Sequence, residues 1–214
     1  MMKSKKKVKV KKVALKVLFW ACVAAIILIT LIPLLYLVSS SFKRIVDIMN
    51  PDKLFFFVPT LKNYIDVFVK YDFIKPIYNS LIVSVGATLL ACIFGLPAAY
   101  SIARYNQNKL SFIILAVRII PAITFLVPWY ILSRVHLTGT YLALILANLL
   151  VSLPLIIWIV TPYFKSIPAS IEESAFLDGC SVYGSFLRIM LPLSGPGIFT
   201  AAILSFIYSW NNFL

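Results

Sequence analysis

The chain has 214 residues, of which 62% are hydrophobic and 13% charged, and its mean hydropathy is +0.98. A soluble domain is about half apolar and about a quarter charged, so a water-facing globule is excluded. Three cysteines, with Cys22 and Cys92 inside apolar runs, exclude a disulfide-stapled secreted module. The net charge of +13 is concentrated at the start, where Lys3, Lys5, Lys6, Lys7, Lys9, Lys11, Lys12 and Lys16 meet no acid.

Uncharged stretches define the elements. Residues 17–42, 76–103, 135–164 and 189–214 contain no Asp, Glu, Lys or Arg, and 110–133 is interrupted by Arg118 alone. Each is longer than the roughly 20 apolar residues with which a helix crosses the hydrocarbon core. None alternates polar with apolar residues as barrel strands do. The predicted fold is therefore all-α, a polytopic transmembrane helical bundle with spans near 17–40, 77–103, 110–132, 140–163 and 193–214. It divides into a basic tail (1–16), a first span (17–41), an external segment (42–76) expected to be partly helical at 60–70, and a core (77–214). The core carries a long inner loop at 164–192.

A basic start before an apolar run also describes a signal peptide. This run is longer than the usual stretch of about 7–15 residues, and no clear small-residue cleavage site follows it. It is read as an uncleaved span whose lysines anchor on anionic lipid rather than on nucleic acid. With the N-terminus cytoplasmic, inner segments hold 12 Lys and Arg against 7 in outer segments, as the positive-inside rule requires. Pro33, the Gly95–Pro97 stretch, Pro121, Pro128 and Pro154 interrupt the spans. Such breaks mark either a bundle that lines a cavity or plain helix kinks, and the sequence leaves both open.

The inner loop is the most informative region. Pro168 precedes Ser170-Ile171-Glu172-Glu173, which has the form of a capping box and predicts a short helix over 171–178 with two carboxylates in its first turn. Gly179 stands where a left-handed residue ends a helix, and Ser181 can cap a second helix over 182–190 that returns at Leu191-Pro192. Ala175, Phe176, Leu177 and Cys180 then form an apolar knob rimmed by Glu172, Glu173 and Asp178. A hairpin lying on lipid carries Lys and Arg on its polar face, so this acidic one points instead to a basic protein groove.

Glu173-Ser174-Ala175, three residues, Gly179, nine residues, Ile189, one residue and Leu191-Pro192 resemble the E-A-A-x3-G-x9-I-x-L-P signature of ABC importer permeases, with Ser174 as the one departure. Asn79-Ser80, Ile120-Pro121 with Pro128, Ile167-Pro168 and Trp210-Asn211-Asn212-Phe213 are similar to the maltose-type sugar permeases, which often have an acid where Asn212 stands. The resemblance runs from about residue 10 to 214 and implies the type I permease fold. It also implies a second permease subunit as a heterodimer partner, a cytoplasmic ATPase dimer and an extracytoplasmic solute-binding protein, in the cytoplasmic membrane of a prokaryote. Glu173, Ser174, Ala175, Asp178, Gly179, Ile189, Leu191 and Pro192 would couple to the ATPase: Glu173 by pairing with a basic residue, Ser174 and Ala175 by close approach, Gly179 by making the turn. The family normally has a sixth span and a cytoplasmic tail beyond this point, so the chain is expected to be shortened, with five spans and its C-terminus outside.

Arg118, about 13 Å beyond Lys109 at helical rise, either faces a polar cavity or snorkels to the headgroups. Asn148, Ser152 and Trp158, with Tyr208, Trp210 and Asn211, offer stacking faces and hydrogen bonds to a solute, or serve as interhelical bonds and interfacial anchors. His136 is expected to be solvated. A phosphate-binding loop, a Cys/His cluster and an H-E-x-x-H motif are all missing, so no catalysis and no bound cofactor are expected, and ATP with its Mg would sit on the partner ATPase. An ion-coupled carrier would want acids at membrane depth, whereas all seven acids fall in loops. The expected function is the permease subunit of an ATP-driven sugar importer; the alternatives are a permease for another solute and an inactive shortened permease or scaffold.

Overall fold

In a computed structural model of the chain, the described residues form helices and turns and no strand. Residues 1, 121–123, 125, 135–136 and 214 lie outside the description, as do the side chains of 2–11, 13–14, 118, 126, 128, 132–133 and 212–213. The expectations for Pro121 and His136, and for the side chains of Arg118, Pro128 and Asn212, fall there. The chain divides into two compact units, residues 1–74 and 75–214.

The first unit opens with α1 (Met2–Ser41), whose stretch Leu15–Ser41 is long and apolar enough to cross a membrane. Its side chains are apolar on every side, Trp20, Ile29 and Leu37 all being exposed, as in a helix solvated by lipid. Pro33 is absorbed without ending the helix. Then come α2 (Ile45–Ile48), a 3-10 turn at Pro51–Lys53 and α3 (Lys62–Ile65), which widens into a π turn at Asp66–Lys70. The helicity expected at 60–70 is present.

Three polar side chains hold this segment together. Asn63 donates its amide hydrogens to the carbonyls of Ser41 (2.9 Å) and Lys43 (2.7 Å). Lys43 is buried, donates to the Leu54 carbonyl at 2.8 Å and lies 4.7 Å from the centre of the Phe57 ring, a cation–π contact. Asp47, also buried, accepts from Lys53 Nζ at 2.5 Å and Arg44 Nε at 3.1 Å. The Lys53 hydrogen bond, opposed by desolvation and aided by Arg44, holds the Asp47 carboxyl below its ordinary 3.8.

The second unit contains α4 (Ile74–Arg104), α5 (Asn108–Ala116), α6 (Leu126–Ser133), α7 (Tyr141–Ser166), α8 (Ala169–Leu177), α9 (Val182–Ser185), α10 (Leu191–Leu193) and α11 (Gly195–Phe213). The buried residues of α4, namely Ser80, Val83, Ser84, Ala87, Thr88, Ala91, Gly95, Ala99 and Ile102, recur at helical spacing and define one face. Most are small, which lets backbones approach closely where lipid offers no hydrophobic drive. A Cβ on Gly86 would come within 2.7 Å of Ile145, and one on Gly197 within 2.3 Å of the Tyr163 ring. Thus α7 packs closely on α4 and on α11.

Among the described residues, Leu15–Ser41, Ile74–Arg104 and Tyr141–Ser166 are long and apolar enough to span, and Val182–Leu193 with Gly195–Asn211 is so only when its two arms are counted together. The pair meets at 78°. Pro192 and Pro196 each lack the N–H that would continue the helix, so the bend falls between them. The span expected over 110–132 is not one continuous helix: α5 runs into a 3-10 turn at Val117–Ile119, and α6 covers Leu126–Ser133. Ile120, before Pro121, is extended with ψ 121°, since a residue preceding proline is pushed out of the helical region.

Candidate functional site

The loop after α7 folds as a helix–turn–helix. Ile167 is extended ahead of Pro168, which occupies the N-cap of α8. The capping box is not formed, because Pro168 starts the helix at Ala169 and places Ser170 inside the first turn. Ser174 instead donates its hydroxyl back to the Ser170 carbonyl at 2.8 Å.

The far end of α8 closes as expected. Gly179 has φ +83°, its N–H bonds to the Phe176 carbonyl at 3.0 Å, and the Cys180 N–H reaches the Ala175 carbonyl at 2.9 Å. This paired pattern is a Schellman motif, which satisfies the last carbonyls and fixes the turn. Ser181 caps α9 by accepting from the Gly184 N–H at 3.1 Å, and α9 widens into a π turn at Phe186–Met190 before Pro192.

The expected coupling residues differ in exposure. Glu173, Ser174, Asp178, Gly179 and Pro192 are exposed, Ile189 and Leu191 are half-buried, and Ala175 is buried. The apolar tip is therefore Leu177, 90% exposed, with Phe176 beside it. Ala175 serves close packing within this chain rather than the outer knob, and Cys180 is half-buried.

Beneath the hairpin lies a cluster that the sequence reading missed. Glu172 is fully buried; its Oε1 accepts from the Tyr100 hydroxyl and from the Ser185 hydroxyl (3.2 Å), and its Oε2 pairs with the Arg104 guanidinium. Tyr100 also meets Phe164 edge-on at 5.9 Å and Phe186 at 5.1 Å, so α4, α7 and the π turn each supply one aromatic ring. The available signals were local. Tyr100 and Arg104 are four apart on α4, and two consecutive glutamates on one helix cannot face the same way.

The described residues considered for a solute path each have their own setting. Asn148 donates to its own helix at the Leu144 carbonyl (2.9 Å), Trp210 stacks on Phe206 at 5.7 Å, Tyr208 is half-buried and Asn211 is exposed. Ser152 is fully buried, and its hydroxyl, like those of Ser84 and Ser209, has no partner among the described residues. Thr88 and Ser205 hydroxyls meet across α4 and α11 at 3.4 Å. A cavity of about 570 Å³ lies between α5 and α7, lined by Asn108, Ser111, Phe112, Trp158, Thr161 and Lys165, and it takes only Trp158 from the expected set.

Residues 91–214 match the family described as binding-protein-dependent transport system inner membrane components, a stretch that includes the whole hairpin and both helices it joins. The chain belongs to this family. It is 37% identical over 200 residues to a probable ABC transporter permease, y4oR, of Sinorhizobium fredii, covering 92% of this chain and 71% of that protein. It is 34% identical to the sulfoquinovosyl glycerol transport system permease SmoH of Agrobacterium fabrum, over 89% of this chain and 69% of that one. It is 31% identical to the trehalose transport system permease SugB of Mycobacterium tuberculosis, over 92% and 73%. This permease is thus an all-α, multi-pass inner-membrane transport subunit.

Proposed function

We propose that this permease is the membrane-spanning subunit of an ATP-driven carbohydrate importer and is coupled to a separate ATPase through residues 171–190. Similarity to permeases named for trehalose and for sulfoquinovosyl glycerol supports a sugar solute. The coupling rests on one observation: the hairpin projects Leu177, 90% exposed, with Phe176, Glu173 and Asp178 around it, on a turn fixed by Gly179. An apolar tip beside exposed carboxylates suits a groove with an apolar floor and basic rim.

The positive-inside asymmetry supports a cytoplasmic N-terminus, and four crossings before the hairpin, the one over 110–132 broken, bring it to the same side, where an ATPase works. The sequence carries no phosphate-binding loop, so ATP and Mg belong to that partner and this chain supplies no catalytic group. A second permease subunit pairs with this one in the bilayer, and an extracytoplasmic binding protein delivers the sugar. Closure of the ATPase dimer then displaces the hairpin tips, and the spans rearrange from inward- to outward-facing.

Co-expression with the ATPase and pull-down through a tag on the permease tests this. Glu173→Ala, which removes an exposed charge, is expected to weaken retention by about tenfold, the equivalent of about 1.4 kcal/mol. Gly179→Pro, which forces φ to about −65° at a left-handed turn, is expected to abolish it. Full retention by both variants would refute the coupling role.

A further inference from the structure

The pairing of Glu173 with an ATPase leaves its neighbour Glu172 unexplained, and the geometry around Glu172 assigns it a different task. A carboxylate with no exposed surface is held from three directions: Arg104 and Tyr100 come from the end of α4, and Ser185 from the second helix of the hairpin. We propose that Glu172 is the positioning residue that locks the hairpin to α4, so that the two move as one rigid lever. This rests on the coupling reading above and adds which transmembrane helix receives the displacement.

The physical case is one of geometry and charge. The hairpin joins α7 to α11, so chain connectivity alone would deliver a pull at its tip to those two helices. Nothing covalent connects it to α4. The Glu172 cluster supplies that missing connection, and it does so through both arms of the hairpin: α8 carries the carboxylate, and α9 carries Ser185. A buried ion pair is directional and is costly to break by halves, because one charge is then left uncompensated, whereas an apolar contact slides. The aromatic contacts of Tyr100 with Phe164 and Phe186 fill the space beside it, which keeps water from competing for the carboxylate. The adjacent glutamates thus divide the work, Glu173 facing outward to a partner and Glu172 inward to the helix that must move.

The experiment uses spin labels on cysteines placed at Leu177, on the hairpin tip, and at Tyr78, near the other end of α4, both exposed positions. Cys22, Cys92 and Cys180 are replaced by serine, and the full chain is measured in lipid nanodiscs with and without the ATPase and ATP. Without the ATPase, the wild-type inter-label distance should be narrowly distributed, and Glu172→Gln, which leaves Arg104 unpaired, should broaden it by about twofold. Adding Arg104→Gln to that variant should restore the narrow distribution, because two neutral amides replace one stranded charge; this recovery separates lost positioning from lost folding. With the ATPase trapped by ATP, the wild-type distance should stay constant while that of Glu172→Gln changes. A Glu172→Gln distribution as narrow as wild type, a broad distribution that the double variant does not recover, or a wild-type distance that changes with ATP would each overturn the lever. Failure of wild type to bind the ATPase would refute the coupling reading alone, since the measurement without the ATPase still tests the lock.

Discussion

Asp47 and Glu172 are both buried carboxylates in short segments that join long helices, yet their partners come from different distances along the chain. Arg44 and Lys53 lie three and six residues from Asp47, inside the same segment. Tyr100 lies 72 residues before Glu172, and Arg104 lies on the same distant helix. The first arrangement organises a local knot that needs nothing beyond its own segment. The second makes a local hairpin depend on a helix elsewhere in the core, which is what a part that transmits displacement requires. Redundancy differs too. Asp47 keeps one cation if the other is lost, whereas Arg104 is the cation paired with Glu172 among the described residues.

The contrast can be broken at several points. The largest effect is expected from Arg104→Ala, which strands the Glu172 carboxylate and should cost about 3–5 kcal/mol, read as a lowered thermal midpoint in detergent. Lys53→Ala, which leaves Arg44 on Asp47, should lower that midpoint far less; equal losses would remove the distinction drawn between the two sites. Next is Gly197→Ala, whose Cβ would meet the Tyr163 ring at 2.3 Å and should cost about 1–3 kcal/mol through overpacking of α11 on α7. The same substitution at Gly195, where a Cβ would meet open space, is the control and should leave the midpoint within about 0.5 kcal/mol.

The smallest effect concerns acid. Because the Asp47 carboxyl titrates below 3.8 in the folded segment, its contribution is complete above that value and is lost as pH falls through the lowered folded value. Fluorine NMR of a label on Met49→Cys should therefore be unchanged from neutral pH down to about 4 and shift only below it, and Asp47→Asn should give the shifted spectrum at neutral pH. A shift that begins near neutral pH would show that Asp47 does not hold this segment.

Much of this architecture was legible because it depends on short-range chemistry. Runs without charge marked α1, α4 and α7, since the bilayer requires an apolar helix of sufficient length wherever the chain crosses. Gly179 marked the turn because a left-handed residue is easiest for glycine, and Ser181 marked the start of the next helix because its hydroxyl reaches a free N–H. Local rules also misled where two of them competed. Ser170 looked like a cap, but Pro168 started the helix earlier, and 110–132 looked like one continuous helix, but Pro121 forces Ile120 out of the helix.

What the sequence by itself determined was therefore the long helices α1, α4 and α7, the membrane as their solvent and the turn of the hairpin, all governed by dihedral preference and hydrophobic run length. Only the tertiary structure decided that Glu173 faces outward while Glu172 is buried, that Ala175 turns inward, and that Arg104 pairs across the core. The reason is physical. A helix fixes its side chains 100° apart but not the angle at which it docks, and that angle is set by Tyr100, Phe164 and Phe186, residues that meet only after the long helices have packed.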